Sequence, residues 1–219
     1  MRTLTNKNKS AMRYLLQKTL MWIKYLLSPS FMVAHLIKNM MAKRQGRLGK
    51  FKAIFFLNRC WLIISIVIFV GLSIWPKEID NTFSTSWQFF IGYLLLFSRV
   101  NEIFFAFVSD AFDKLSHRNR YSYFKMRLNL AFSSYIELII TFGSLYYVLA
   151  SNGLHTDAIQ GIKNAIDALY FSGVTITTLG YGDFLPNQWY TKLLSVYEVL
   201  CGFSLLLVSF TIYTSRAMK

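Results

Sequence analysis

The sequence is poor in the residues that build most catalytic and metal sites. It contains two cysteines and three histidines in 219 residues. Cys60 and Cys201 both fall within long apolar runs, which predicts buried thiols and no disulfide framework. The histidines are scattered, and no group of candidate ligands has metal-site spacing. The sequence also lacks a nucleotide-binding glycine loop and a catalytic triad. We therefore predict a protein that is not an enzyme and has no cofactor.

Acidic residues are also scarce, with 10 against 24 basic residues and a net charge of +14. Hydrophobic residues make up 54% of the chain. Four apolar runs each exceed the ~20 residues needed to cross a bilayer. The second run requires Arg99, Asn101 and Glu102 to face protein or water, and Arg99 and Glu102 are spaced to form an i, i+3 pair. The predicted spans are residues 51–75, 87–109, 128–150 and 192–214.

The basic residues predict the orientation of these spans. Residues 1–52 hold twelve lysines and arginines and no acid, which is typical of a cytoplasmic segment. With four spans, nineteen basic residues fall on the inner side and about three on the outer side. We predict a multi-pass protein of the cell membrane with both termini in the cytoplasm. The positive charge then reflects membrane orientation, and we expect no nucleic acid as a partner.

The N-terminal segment, residues 1–50, is basic and amphipathic. Lysine and arginine interrupt residues 11–27, so no signal peptide is predicted, while apolar residues recur there at helical spacing. Ser28-Pro29-Ser30 is expected to end this helix, and residues 31–42 to form another. The pattern favours docking on anionic lipids of the bilayer surface. Packing beneath the membrane helices, or a mobile tail, are the alternatives.

One heptapeptide, Thr-Thr-Leu-Gly-Tyr-Gly-Asp at residues 177–183, carries the most information. It follows a short apolar stretch, 164–176, and lies between the third and fourth predicted spans. Gly-Tyr-Gly-Asp alone should occur by chance on the order of once per 100,000 positions. The order of span, short helix, Thr-x-Gly-Tyr-Gly and span resembles the pore domain of tetrameric potassium channels. The four apolar runs, together with this resemblance over roughly residues 128–214, predict an all-α integral membrane protein with four transmembrane helices per subunit, a re-entrant pore helix and a selectivity-filter loop.

The resemblance also implies how an ion is bound. In that family, backbone carbonyls of four identical loops replace the water around K+. Applied to this chain, the resemblance implies that the filter is formed by Thr178, Leu179, Gly180, Tyr181 and Gly182. The residues that coordinate K+ are then Thr178, Leu179, Gly180 and Tyr181. Glycine tolerates the backbone angles that successive inward carbonyls require. Tyr181 is expected to pack behind the filter. Asp183 would lie at the outer mouth.

Residues around the filter are assigned by the same resemblance. Tyr170 and Phe171 stand where the family has an aromatic cuff. Leu179 replaces the usual valine or isoleucine, and Val174 replaces a glutamate found in some bacterial members. Gly202 matches the inner-helix hinge, in a Glu-x-x-x-Gly pattern beginning at Glu198, although a close helix contact is the alternative. The expected cavity lining is Phe203, Leu206, Phe210 and Thr214.

Two features of the remaining spans bear on gating. No span has arginine at every third position, so we predict weak voltage dependence. The third span carries a polar stripe in which the carboxylate of Glu137 is costly to bury and is therefore a functional candidate. The other members of the stripe are Ser133, Thr141 and Ser144.

These observations predict four regions: 1–50 cytoplasmic, 51–127 with two accessory spans and a basic loop, 128–214 as the pore domain and 215–219 as a cytoplasmic end. One filter loop per chain requires three further copies of the chain, so the prediction is a homotetrameric, passive, potassium-selective channel in the lipid bilayer. A potassium uptake transporter and a non-conducting or regulatory channel-like subunit are the alternatives.

Overall fold

The computed structural model describes Thr19, Tyr25 and residues 28–74, 83–116, 124–151 and 158–217. These residues are almost entirely helical, which confirms the predicted all-α class. The elements in chain order are α1 (Pro29–Ile74), α2 (Phe83–Ser116), α3 (Phe124–Ser151), β1 (Ile159–Gln160), α4 (Ala165–Ile176), β2 (Leu185–Pro186) and α5 (Trp189–Ala217). The two short strands pair antiparallel, with Ile159 opposite Pro186.

Among the described residues, four helices are long and apolar enough to cross a membrane, as predicted. The first and third agree with the predicted spans to within one residue at each end, because each is a long, mainly apolar run with few charged residues. The second is the part of α2 that carries Arg99 and Glu102. The shorter α4 is apolar but is not a span. The four spans are Lys52–Ile74, Gly92–Ser109, Arg127–Ser151 and Trp189–Leu207.

Helix α1 differs from the prediction because it joins two segments expected to be separate. Gly46 has a left-handed backbone (φ 63°) inside α1, where only glycine makes such a kink without steric cost. The helix begins at Pro29, and Ser28 caps it by accepting a 3.3 Å hydrogen bond from the Phe31 N–H. Ser28-Pro29-Ser30 therefore starts α1, and the separate helix expected over 31–42 is its first part.

The start of α1 is fastened to the middle of α2. The Ser28 and Ser30 hydroxyls donate to the Ser98 carbonyl at 2.8 and 3.2 Å, and the Ser30 N–H donates to the Ser98 hydroxyl. Ser98 lies in the second span, so this part of the N-terminal segment packs against a membrane helix. Apart from Thr19 and Tyr25, the amphipathic stretch 11–27 lies outside the described residues.

The buried core lies between α2, α3, α4 and α5. Its largest side chains come from α3, where Leu138, Phe142, Leu145 and Tyr146 are fully buried. In contrast, α1 exposes a row of large apolar side chains, as expected of a helix that faces lipid. They include Phe56, Ile63, Val67, Val70 and Ile74. The core thus positions α4 and the loop after it between the third and fourth spans.

Candidate functional site

The short helix α4 begins with a capping box. Asn164 accepts a 2.9 Å hydrogen bond from the Asp167 N–H, and Asp167 accepts a 3.1 Å bond from the Asn164 N–H. The pair satisfies two N–H groups that the first helical turn leaves unpaired. The Asn-x-x-Asp spacing is visible in the sequence, although we did not use it to define the start of this helix.

The end of α4 passes directly into the heptapeptide through a Schellman-type cap. The Thr178 N–H donates to the Thr175 carbonyl at 2.9 Å, and the Leu179 N–H donates to the Val174 carbonyl at 3.0 Å. A third bond joins the Gly180 N–H to the same Val174 carbonyl at 3.4 Å. The loop is therefore held by the last turn of α4, so its position depends on that helix.

The loop backbone alternates in handedness. Thr178, Gly180 and Gly182 have φ of 57°, 54° and 78°, while Leu179 and Tyr181 between them do not have positive φ. A positive φ at every second residue allows successive peptide units to turn their carbonyl oxygens toward one side of the chain, as the rings of a carbonyl filter require. Within the described residues, Thr178 alone has a positive φ without being glycine, and a β-branched residue there is strained. This geometry suits a row of carbonyl oxygens that faces one direction.

The predicted cuff residues have different environments. The Tyr170 side chain lies near Asp183, and its ring contacts Phe184 at a centroid distance of 5.6 Å. Desolvation, together with the neighbouring Asp183 carboxylate, raises the pKa of Tyr170, so the phenol retains its proton as a donor. Phe171 is buried against Tyr146, with ring centroids 4.8 Å apart. Tyr170 therefore supports the outer end of the loop, whereas Phe171 fastens α4 to α3.

The predicted filter residues are all exposed in the single chain. Leu179 and Tyr181 are 56% and 66% exposed, although both are large and apolar or aromatic. The prediction that Tyr181 packs behind the loop is not fulfilled by contacts within its own chain. Contacts within the described residues therefore leave both of these side chains uncovered.

Gly202 lies in α5 at a tight contact with α4. A Cβ placed on Gly202 would lie 2.7 Å from Ile176 Cγ1 and 3.2 Å from the Ile176 carbonyl oxygen. This approach supports the close-contact alternative, and a role as a hinge stays a prediction. Phe203 and Leu206 are each 57% exposed, while the side chains of Phe210 and Thr214 lie outside the described set.

Behind the loop, Glu198 joins three helices. This α5 carboxylate is fully buried, with Oε1 2.5 Å from the Ser172 hydroxyl on α4 and Oε2 2.7 Å from the Tyr146 hydroxyl on α3. In the sequence, Glu198 stands out only as the start of the Glu-x-x-x-Gly pattern that ends at Gly202. Ser172 and Tyr146 are not predicted as its partners. A glutamate within an apolar run is the signal that could have identified this position.

A second buried polar cluster joins α1, α2 and α3. Arg99 donates to both carboxylate oxygens of Glu137 at 2.6 and 3.0 Å, and it pairs with Glu102 at 2.9 Å. Its Nη2 also donates to Asn58 at 3.2 Å, and Ser134 donates to the same Asn58 oxygen. The predicted Arg99–Glu102 pair is confirmed. The stronger bidentate partner, Glu137, is on another helix.

No group of three or more histidine, cysteine, aspartate or glutamate side chains is positioned to hold a metal ion in the described ranges. The oxygen atoms that the loop could offer to an ion are instead backbone carbonyls and the Thr178 hydroxyl. Such hard, uncharged oxygens suit an alkali cation better than a transition metal.

The family model described as "Ion channel" matches residues 134–219. This range begins in α3, includes α4 and the loop, and extends through α5. The match supports the resemblance stated from the heptapeptide and its flanking spans. It does not cover α1 or α2.

Curated relatives match the same kind of segment. Two-pore potassium channel 1 of Arabidopsis thaliana is 37% identical over 68 residues, covering 31% of this chain and 18% of the relative. Two pore potassium channel a of Oryza sativa subsp. japonica is 50% identical over 48 residues, which cover 21% of this chain and 14% of the relative. Potassium voltage-gated channel subfamily KQT member 4 of Homo sapiens is 33% identical over 73 residues, which cover 33% of this chain and 9% of the relative. The chain thus spans less than a fifth of each relative, and no solved structure matches it.

Proposed function

We propose that this chain, whose residues 134–219 match the ion-channel family model, is a subunit of a potassium-selective channel that conducts passively across a membrane. One observation carries the proposal: a loop with left-handed residues at every second position follows directly from the C-terminus of a short apolar helix. That backbone can present a row of carbonyl oxygens to a dehydrated cation. The names of the relatives support potassium as the ion.

In this proposal, four copies bring four loops together around one axis. The carbonyls of Thr178, Leu179, Gly180 and Tyr181 and the Thr178 hydroxyl form stacked oxygen rings. The exposed positions of these residues in one chain support assembly with further copies. A negative C-terminal partial charge on each α4 favours a cation near the loop. Asp183 at the far end of the loop attracts cations to the mouth.

The proposal also assigns roles to α5, as the inner helix, and to the orientation of the chain in the membrane. Phe203, Leu206, Phe210 and Thr214 line a cavity below the filter, and Gly202 is the position at which α5 would bend. The excess of basic residues in 1–52 supports cytoplasmic termini in a cell membrane, with Asp183 on the outer side. The basic residues Lys43 and Arg44, which precede Gly46 in α1 and are exposed, then lie toward the inner side, where they can contact anionic lipids.

Flux through purified protein in liposomes tests this proposal. With only an ion gradient as driving force, liposomes should take up rubidium and potassium and largely exclude sodium, because carbonyl rings suit the larger dehydrated ions. Protein-free liposomes provide the control, and sizing in detergent measures the number of subunits. Equal sodium and potassium permeability would contradict the filter. Absence of flux from an assembled protein would favour a non-conducting subunit, and a requirement for a second energy source would favour a transporter.

A further inference from the structure

Glu198 of α5 lies behind the loop at residues 177–183, where α3, α4 and α5 meet. The carboxylate has no exposed surface, and its two oxygens contact Ser172 and Tyr146 at 2.5 and 2.7 Å. Ser172 is itself fully buried and lies on the helix whose last turn holds the loop. Any change at the Ser172–Glu198 contact is therefore transmitted through a short, rigid helix to the loop.

The hydrogen bonds around Ser172 indicate whether the Glu198 carboxyl group is protonated. The Ser172 oxygen lies 2.9 Å from the Ile139 carbonyl and 2.5 Å from Glu198 Oε1, and both of these atoms are acceptors if the carboxylate is ionised. A serine hydroxyl has one hydrogen to donate. Both contacts are hydrogen bonds if Ser172 donates to Ile139 while a protonated Glu198 donates to Ser172. The Tyr146 hydroxyl lies 2.7 Å from Glu198 Oε2 and 3.3 Å from the Ser195 hydroxyl, and its one hydrogen is donated to the nearer Glu198 oxygen.

Among the described residues, no cationic side chain pairs with Glu198. The side chains that hydrogen-bond to it, Ser172 and Tyr146, are both neutral. The ionisable groups that face it are Tyr146 and Tyr135 from α3 and Cys201 from α5, while α4 presents the Ser172 hydroxyl. A buried carboxylate with acceptor-only oxygens and no cation is very costly at membrane depth. This is the reverse of Glu137, which binds Arg99 in a bidentate pair.

We propose that Glu198 is a protonated carboxylic acid that fastens α4 to α5, and that its deprotonation at alkaline pH closes the conduction pathway. The inference rests on the proposed channel function. On alkalinisation, the carboxyl proton passes to hydroxide from the solvent and leaves water and a carboxylate. The donor to Ser172 is then lost, and an uncompensated charge lies between the two helices. Helix α4 shifts, and the loop bound to its Val174 carbonyl shifts with it.

The test compares the parent with Glu198→Gln in liposomes over a range of pH from acidic to alkaline. Glutamine keeps one oxygen that accepts from Tyr146 and provides an N–H that donates to Ser172, but it cannot lose a proton in this range. We expect rubidium uptake by the parent to fall by roughly tenfold on alkalinisation, as loss of one buried hydrogen bond would allow. Uptake by the variant should stay near its neutral-pH value. The same decline in both proteins would overturn the inference.

Infrared spectroscopy provides a readout that does not depend on conduction. The difference spectrum of parent minus Glu198→Gln at neutral pH should contain the carbonyl band of a protonated carboxylic acid, and this band should disappear in alkaline buffer. A difference spectrum with only carboxylate bands at neutral pH would overturn the inference. Selective flux by the parent at neutral pH tests the channel function separately, so the two ideas can fail independently.

If Glu198→Gln does not assemble, Tyr146→Phe keeps the inference testable. The phenol donor stabilises the ionised carboxylate more than the neutral acid, because a charge strengthens the hydrogen bond. Removing that donor should move the midpoint of the flux decline to higher pH while leaving the Ser172 contact in place. An unchanged midpoint in an assembled Tyr146→Phe channel would contradict a role for Glu198 in the decline.

Discussion

At the scale of single residues, Thr178 has a strained backbone conformation that glycine would adopt more easily. A β-branched residue with φ of 57° costs about 1–3 kcal/mol, and glycine would remove the strain at this position. Glycine is in fact used at the next two left-handed positions, Gly180 and Gly182. Retention of threonine is explained if its hydroxyl provides an oxygen ring, as the proposed filter requires.

Alanine at Gly180 should remove selectivity while preserving assembly. A Cβ there meets no atom within 4 Å in the chain, so the cost comes from the left-handed backbone (φ 54°), about 1–2 kcal/mol per copy. Four strained copies would distort the same carbonyl ring. We expect Gly180→Ala to elute as a tetramer but to lose potassium-selective rubidium uptake.

Gly71→Ala is the matched control for that experiment. Gly71 lies in α1, has ordinary backbone angles and likewise has no atom within 4 Å of an added Cβ. Its substitution should leave both assembly and uptake unchanged. Unaltered selectivity in an assembled Gly180→Ala protein would show that residues 178–182 are not the filter.

Substitution of Gly202 tests whether this glycine is a hinge of α5 or a close packing contact with α4. Alanine at this position would lie 2.7 Å from Ile176 Cγ1, so Gly202→Ala should destabilise the protein by about 1–3 kcal/mol through overpacking. Adding Ile176→Ala removes the side chain that clashes and should recover part of the thermal stability of the tetramer. Thermal unfolding in detergent measures both variants.

The double variant Gly202→Ala/Ile176→Ala also shows which result would favour a hinge at Gly202. If Gly202→Ala leaves thermal stability unchanged but alters conduction, and Ile176→Ala brings no recovery, the glycine serves bending and not close packing. Ile176→Ala alone is the required control, because truncating a buried isoleucine has its own cost.

At the scale of helices, the Arg99 cluster connects α1, α2 and α3. Arg99→Met would leave Glu137 and Glu102 buried without their cation, and we expect a loss of about 3–5 kcal/mol in the stability of the helical bundle. Arg99→Met combined with Glu137→Gln should be less destabilised, since one orphaned charge is removed. Arg59→Met changes an exposed arginine of α1 and should be nearly neutral. Equal melting temperatures for Arg99→Met and the parent would contradict this role.

Helices and loop could be predicted from the sequence to different degrees. Long runs rich in apolar residues predict the four spans, and the heptapeptide identifies the loop, because these signals are local. The kink at Gly46 could not be predicted, since an isolated glycine within a helix is usually tolerated without bending. The bond from Arg99 to Glu137 crosses 38 residues, and that from Ser172 to Glu198 crosses 26. Such partners depend on how helices pack, which periodicity alone does not specify.

At the scale of the whole molecule, one chain leaves its most specialised surface uncovered. Apolar side chains along α5 are exposed on the same element that buries Glu198 and Gly202. Together with the exposed loop, they form a surface that is completed only by lipid or by further copies. The exposed members include Leu193, Val196, Leu200, Phe203 and Leu206. This distribution agrees with a channel in which the conduction pathway lies between subunits.

The response of the whole molecule to voltage should be weak. Moving one charge through 100 mV supplies about 2.3 kcal/mol, and steep gating requires several such charges in each subunit. Arg99 is the one arginine in the second span, and it is 5% exposed. Freeing it from Glu137 and Glu102 would cost about 3–5 kcal/mol, more than the field provides. We expect a shallow conductance–voltage curve in planar bilayers, in the parent as in the Arg59→Met control. A steep curve that becomes shallow in an assembled Arg99→Met protein would show that Arg99 moves with voltage and that the buried cluster is a sensor.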